Sequence, residues 1–384
     1  MKFQHRLLTA AAVTAAAICS PRALALVSLE DGRDHIFVDA TVEMGFDSNV
    51  FANSQSGGST VTQGTLAADF VRRAGWIGVN VTAALNFARY YSLKSQDYAD
   101  PKVSAQLTKQ SGRTTGSLTL SVQKQNRADV DVNTRDVSWN YDAGLNFQYP
   151  VIERYSISGS LDYDRTNYDD RQLFTNLATY TGGLYLFYIL NEKRDLFVSY
   201  RYRLSDLSSG ERDTDNALSG GVSGKVIGPF NGSLGAGYET RSISNVPGTG
   251  NFNGVYVNGA LTWNISRRMS LTSNLSRDFS TTANAISIQT TSVDLDFTDS
   301  FTARASANLG GSVGENRFLG AAGLTAPGGR DRVDQFASLS AAYFYTLNQH
   351  LKISINYSYY RSWSTVAFAE FPRSQLNLTL ASHW

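Results

Sequence analysis

The sequence predicts a closed antiparallel transmembrane β-barrel of about 18 strands, with 16 the nearest alternative, carrying short turns at one end and longer loops at the other. Three observations lead there. Apolar and polar residues alternate with period two over unusually long runs, turn-like breaks recur at even spacing, and the chain finishes on an amphipathic strand. Composition agrees: among 384 residues there are 32 Gly, 20 Tyr and 20 Phe but only 7 Pro, and helical periodicity is hard to find.

Taken in order, the chain opens with the pattern of a secretory signal peptide. Lys2 and Arg6 give a positive start, Leu7 to Ile18 an apolar stretch, and Ala23-Leu24-Ala25 a small-residue cleavage site. Residues 1–25 are expected to be removed, leaving 26–35 as a short periplasmic segment and 36–384 as the barrel. Cys19 is the single cysteine and falls inside the leader, so the mature chain has no disulfide and no cysteine-held metal. Losing Lys2, Arg6 and Arg22 from the 34 basic residues leaves 31 against 33 acidic, a net charge of −2. Such a balance gives no footprint for nucleic acid. The longest apolar run after the leader, Leu184 to Leu190, is far short of the roughly 20 residues a membrane helix needs.

Breaks then follow at Arg72 to Gly75, Gln110 to Arg113, Pro150 to Arg154, Asn191 to Asp195, Gly228-Pro229, Ser266 to Arg268, Asp299-Ser300 and Asn348 to His350. Each interval between them holds one hairpin, two strands and a loop, so eight breaks give nine hairpins. Alternation fills the intervals. Val79, Val81, Ala83, Leu85 and Phe87 share a face opposite Asn80, Thr82, Ala84 and Asn86. The scheme returns in Val137, Trp139, Tyr141, Ala143 and Leu145, and again in Leu351, Ile353, Ile355, Tyr357 and Tyr359. Several runs reach the roughly 9 to 11 residues that a tilted strand needs to cross a bilayer.

Alternation alone does not say which face is outside; size does. A ring of about 18 strands encloses a lumen too wide for side chains to fill. Its inner face is therefore wet, and the apolar face meets lipid. Aromatics fall into two levels, Trp76, Tyr149, Tyr155, Phe230, Trp263, Phe297 and Phe301 near the short turns, and Tyr90, Tyr91, Tyr168, Tyr202, Phe279, Tyr360 and Trp363 near the loops. Two membrane interfaces would select such levels. The expected external loops are Asn53 to Thr60, Ser92 to Pro101, Asn126 to Arg135, Asn167 to Thr175, Ser205 to Asn216, Ser242 to Asn253, Gly314 to Asp331 and Ser364 to Arg373. Asn126 to Arg135 reads as too short for the inward-folded constriction of a trimeric porin, which counts against a general diffusion porin; Gly314 to Asp331 is the longest.

At the carboxyl end Leu376, Leu378, Leu380 and Trp384 share the apolar face of the last strand, with Asn377, Thr379 and His383 opposite. This strand is expected to pair with the first, Val38 to Phe51, which ends in Gly45-Phe46-Asp47-Ser48-Asn49-Val50-Phe51. That stretch, the hairpin rhythm and the aromatic terminus resemble the porin-2-like family of outer-membrane β-barrel proteins associated with capsule or exopolysaccharide production. The resemblance spans the mature chain. It implies a bacterial outer-membrane channel, with export of an exopolysaccharide as its expected task and periplasmic secretion components as expected partners. A general diffusion porin for small solutes, and a structural or adhesive barrel, are the alternatives. Leu376, Leu378, Leu380 and Trp384 resemble the signal read by the barrel-assembly machinery, although Trp384 stands where Phe is usual.

No catalytic constellation is evident, and no cofactor or metal is expected. Barrel enzymes of the outer membrane need a histidine at the outer surface, whereas His35, His350 and His383 all map to the short-turn end. Asp162/Asp164 and Asp294/Asp296 are carboxylate pairs on the lumen face of single strands, with Arg201, Arg203, Arg304 and Lys352 as basic counterparts. Together these eight are read as lining a wet pore, partly paired across it. Tyr185 and Phe187 lie on a strand apolar on both sides; they either offer sugars a stacking surface or pack against a neighbour.

Overall fold

The computed structural model describes residues 27–29, 33–55, 57–73, 75–245, 250–320 and 331–384. The expected leader with Cys19 lies outside them, as does 321–330 of the longest expected loop. A short strand β1 (Val27–Leu29) pairs only with the foot of β2 (Asp34–Asp47). Around the ring follow β3 (Ser59–Arg72), β4 (Gly78–Tyr90), β5 (Tyr98–Lys109), β6 (Thr115–Asp129), β7 (Thr134–Ile152) and β8 (Tyr155–Tyr168). Next come β9 (Leu177–Asn191), β10 (Arg194–Leu207), β11 (Arg212–Ile227), β12 (Phe230–Ser244), β13 (Asn251–Asn264) and β14 (Met269–Thr281). The ring ends with β15 (Ser287–Asp299), β16 (Ala305–Leu319), β17 (Val333–Thr346), β18 (Leu351–Ser364) and β19 (Phe371–His383).

Every strand from β2 to β19 pairs antiparallel with its chain neighbours, and β19 pairs with β2, closing an 18-stranded barrel. Closure of the ring through β19 and β2 leaves no first or last strand with a free edge, the condition for strands to cross hydrocarbon. At the seam Val38 and Trp384 exchange both backbone hydrogen bonds, at 2.9 and 3.0 Å. Asp39 accepts from His383 Nδ1 at 2.5 Å, and the His383 ring stacks on Phe37. Trp384 lies flat on His350, ring centroids 4.2 Å apart.

The oily face points outward. Val42, Met44 and Phe46 of β2 and Leu376, Leu378 and Leu380 of β19 are each about half exposed, while the alternating Glu43 and Thr379 turn inward and bond to one another. Leu66, Leu161, Leu218, Leu309 and Leu339 repeat this around the ring. Such a belt would be costly in water and is favourable against lipid. Near the short turns Phe230 and Trp263 form a ring pair, and Tyr155 packs on Tyr188.

All eight expected short turns occur where one strand ends and the next begins, though β7 runs on through Pro150 to Ile152. Pro150 has no N–H to donate, and the ladder shifts register between Pro150 and Ile152. Three expectations need correction. The first strand ends at Asp47 rather than Phe51, because the Asp47 side chain caps the Asn49 N–H and Val50 turns into a buried cluster with Val61, Ala88 and Tyr90. The upper aromatic level is mixed: Tyr91, Tyr202 and Trp363 are outward, but Tyr90, Tyr168 and Phe279 are buried, and Tyr360 packs on Phe336 and Phe371. β16 also extends to Leu319, well into the stretch expected as a loop.

Candidate functional site

Two loop tips reach into the mouth of the barrel. The first belongs to β14 and β15. β14 pairs with β13 only as far as Arg277; above it β14 stays with β15, which itself stays paired to β16 up to Ser287, so the ladder opens between β13 and β14 and this side of the wall leans inward. The sequence fits the bend, since above Leu275 the outward row of leucines stops and the large apolar residues that follow, Phe279 and Ile288, are buried rather than turned to lipid. The hairpin leans over the inner face of β10, β11 and β12, where buried charges hold it.

Arg201 donates to both oxygens of Asp278 at 2.7 and 2.9 Å, a two-pronged bond, and also to Glu239. Arg203 donates to Asp215 at 2.6 Å, to Asp278, and to the Phe279 carbonyl. Arg241, fully buried, grips Asp215 at 2.6 and 2.8 Å and donates to the Ser280 carbonyl at 2.6 Å. Thr281 donates to Asp213 at 2.6 Å. The guanidinium of Arg201 lies 4.7 Å over the Tyr256 ring and that of Arg241 5.6 Å over Phe279. Wall residues thus present three arginines, and the hairpin answers with one carboxylate and two backbone carbonyls.

Contact continues at the tip. The Thr175 N–H, from the β8–β9 loop, donates to the Ala283 carbonyl at 2.8 Å, and Ala283 packs with Tyr168, Phe174 and Val132. Val132 belongs to the second tip, Val130 to Asn133 between β6 and β7. Short as expected for a segment that cannot form a trimeric porin's constriction loop, this tip is nevertheless met from across the lumen. Arg332 at the head of β17 donates to the Asp131 carbonyl at 3.0 Å and to the Asn133 side chain at 2.9 Å, and Asn316 of β16 donates to the Asp131 carboxylate at 2.9 Å. From the β6–β7 tip to the β16–β17 end is ten strands of eighteen, almost a diameter. Asn133 also donates to the Ala52 carbonyl at 3.1 Å. Reach across the lumen is supplied from both sides, so a four-residue tip suffices.

Ala52, Asn133 and Ala285 all take the left-handed backbone conformation, with φ of 53°, 57° and 59°. Outside glycine this costs about 1 kcal/mol or more per residue, and these bridging contacts offset it. Two loop carboxylates are shifted. Burial, then Asp129, pushes Asp131 up to about 7, against the opposing pull of Arg332. Glu211, in the β10–β11 loop, is likewise pushed up to about 7 by burial and by Asp213.

Below the bridges, toward the short turns, the lumen is lined as a wet wall would be. Near Thr262, Thr272 and Thr298 a cavity of about 610 Å³ opens at that end. Asp162 and Asp164 sit on the inner face of β8, Asp294 and Asp296 on that of β15, in register with lumen residues of neighbouring strands. Arg201 and Arg203 are also on the inner face, but their partners are Asp278, Asp215 and Glu239, not the expected pairs. Lys352 faces inward with its ammonium 5.1 Å over Phe344, whereas Arg304 lies in an exposed turn at the rim rather than on the strand wall. Tyr185 and Phe187 both turn into the lumen, ring centroids 6.1 Å apart and 15° from parallel. Missed in the sequence were Asp131, Asn133, Asp213, Asp215, Glu239, Arg241, Asp278 and Arg332. A signal was present: β14–β15 is the one hairpin to which no external loop was assigned, and its alternation fails above Leu275.

Solved structures share the fold. The FrpB iron transporter of Neisseria meningitidis is similar with a TM-score of 0.50 and 9% identity, over 90% of this chain and 81% of that one. Outer membrane protein opdK of Pseudomonas aeruginosa is similar with a TM-score of 0.46 and 13% identity, over 91% of this chain and 99% of that one. No curated protein matches the sequence. Residues 35–383 match the family described as "Putative beta-barrel porin 2", and with its closed ring and outward apolar belt the chain belongs to that family, as a porin-like channel of the bacterial outer membrane.

Proposed function

We propose that the protein is a passive, constricted channel for small hydrophilic solutes. The observation that carries this is the top of the β14–β15 hairpin, separated from β13 and clamped by Arg201, Arg203 and Arg241 across the inner face of β10 to β12. A wall rich in serine, threonine and asparagine stays hydrated, and a clamped hairpin narrows it without filling it. Selection then acts on size and on the polarity of the solute as it passes the clamp. The barrel should insert into planar bilayers with a discrete, steady conductance, and proteoliposomes should swell in monosaccharides faster than in trisaccharides. Removing the tip, residues 281–287, should raise conductance about twofold or more. A protein that folds and inserts but passes neither ions nor sugars would leave only a structural barrel.

A second reading, export of an exopolysaccharide with periplasmic secretion components, draws support from the hydroxyl and amide lining, whose exchangeable hydrogen bonds suit a sliding sugar chain. Against it stand the two bridged tips, both of which would have to part for a polymer to leave. Deleting the gene and comparing released with retained polymer tests it, and unchanged release removes it.

A further inference from the structure

Three aromatic rings sit together on an otherwise hydroxyl-rich part of the lumen wall. Tyr185 and Phe187 of β9 lie nearly parallel, and Phe197 of β10 packs against both at 5.9 and 5.7 Å. Phe197 is seated deepest, 8% exposed, because the wall beneath it has no side chains. A Cβ on Gly221 would fall 2.5 Å from its ring, and one on Gly235 2.9 Å away. Two glycines on adjacent strands thus sink Phe197, and Tyr185 and Phe187, near parallel to each other and tilted 56° and 51° to its ring, rest on it as a platform, both partly open to the lumen. These rings pack on a neighbouring strand, and Tyr185 and Phe187 stay partly exposed.

Apolar platforms are out of place in a wet lumen unless something covers them. What surrounds this one specifies the cover. Ser158 stands across from Tyr185 on β8, Ser199 across from it on β10, and Ser199 shares a 2.7 Å hydrogen bond with Ser219. An apolar face rimmed by hydroxyls complements a molecule with an apolar ring face and hydroxyls at its edge, which describes a pyranose. Arg201 lies two residues beyond Ser199 on the same face of β10, so the platform sits on the short-turn side of the clamp.

We infer that Tyr185, Phe187 and Phe197 form a saccharide-binding subsite of the channel, in which a neutral pyranose stacks on the two open rings and a hydroxyl at its edge bonds to Ser158. The inference rests on the channel reading and names the class of solute the channel selects. Maltohexaose titrated calorimetrically into the detergent-solubilised, folded barrel reads the platform without reference to conductance. Saturable binding is expected. Tyr185→Ala and Phe187→Ala should each weaken it about tenfold, the scale of one lost stacking contact. Tyr185→Phe, which keeps the ring, should stay within about threefold. Folding of each variant is checked by its heat-dependent shift in gel mobility. No heat of binding, binding unaltered in both alanine variants, or equal binding of polyethylene glycol or of benzoate would overturn the inference. A barrel that binds maltohexaose but conducts nothing would overturn the channel reading alone, and one that conducts but does not bind would overturn this one alone.

Discussion

Asp278 is the residue on which the constriction turns. Its two oxygens answer both Arg201 and Arg203, and it is the carboxylate the hairpin contributes to the clamp. Asp278→Asn removes that charge while keeping the shape. Loss of a buried, paired charge costs about 3 kcal/mol, and here the cost falls on the hairpin's hold rather than on the ring. We therefore expect a folded barrel with larger or noisier single-channel currents; currents identical to wild type would show that the hairpin is held by its carbonyl contacts alone. The inward direction of Arg201, Arg203, Asp162 and Asp294 was legible from period-two alternation. Their partners were not, because Asp278 reaches Arg203 only where β14 leaves β13, and alternation records a face rather than a bend.

At the scale of elements, eight short turns and most loops could be read from polar breaks, and the ninth hairpin could not. Thr281 to Ile286 is brief and lacks the Gly, Pro and Asp that marked the other loops, and the tip turns on Ala285 with φ of 59° where glycine would have been the usual signal. Cysteines at Thr175 and Ala283, whose backbones are already hydrogen bonded, should form a bond under oxidation that fixes the hairpin to the β8–β9 loop. Oxidised channels should show fewer current fluctuations, and dithiothreitol should restore them. Acidity should act on the same tips. Asp131 faces Asp129, Asp334, Arg127 and Arg332, and Glu211 faces Asp213 and Arg241. Both carboxyls hold protons in the folded mouth up to about pH 7, whereas in the unfolded chain they release them near 4. Between those values the folded form binds more protons, so its stability falls as pH rises and levels off above 7. The mouth should be quieter at pH 5 than at pH 8, with Asp131→Asn removing part of the difference; a flat profile would exclude these groups.

For the molecule as a whole, the sequence was a sufficient guide to the ring, since its strand lengths, paired turns and outward leucines are repeated features that reinforce one another. The mouth is built from single, non-repeating contacts between distant segments, and such contacts leave no period to detect. The seam is intermediate. Asp47 receives Arg373 at 2.6 and 3.0 Å and Gln375 at 3.0 Å from across it, and caps Asn49 besides. Asp47→Asn should lower the temperature at which the barrel loses its compact gel mobility, by an amount corresponding to about 3 kcal/mol, and an unchanged transition would place closure in the backbone ladder alone. The bond between Asp131 and Arg332 has one more effect. It ties walls that stand almost opposite each other, in the manner of a spoke in a wheel, so the circular outline and the state of the mouth depend on one another. Lateral pressure that flattened the ring would load this spoke first, and its failure would register membrane tension as a change in passage.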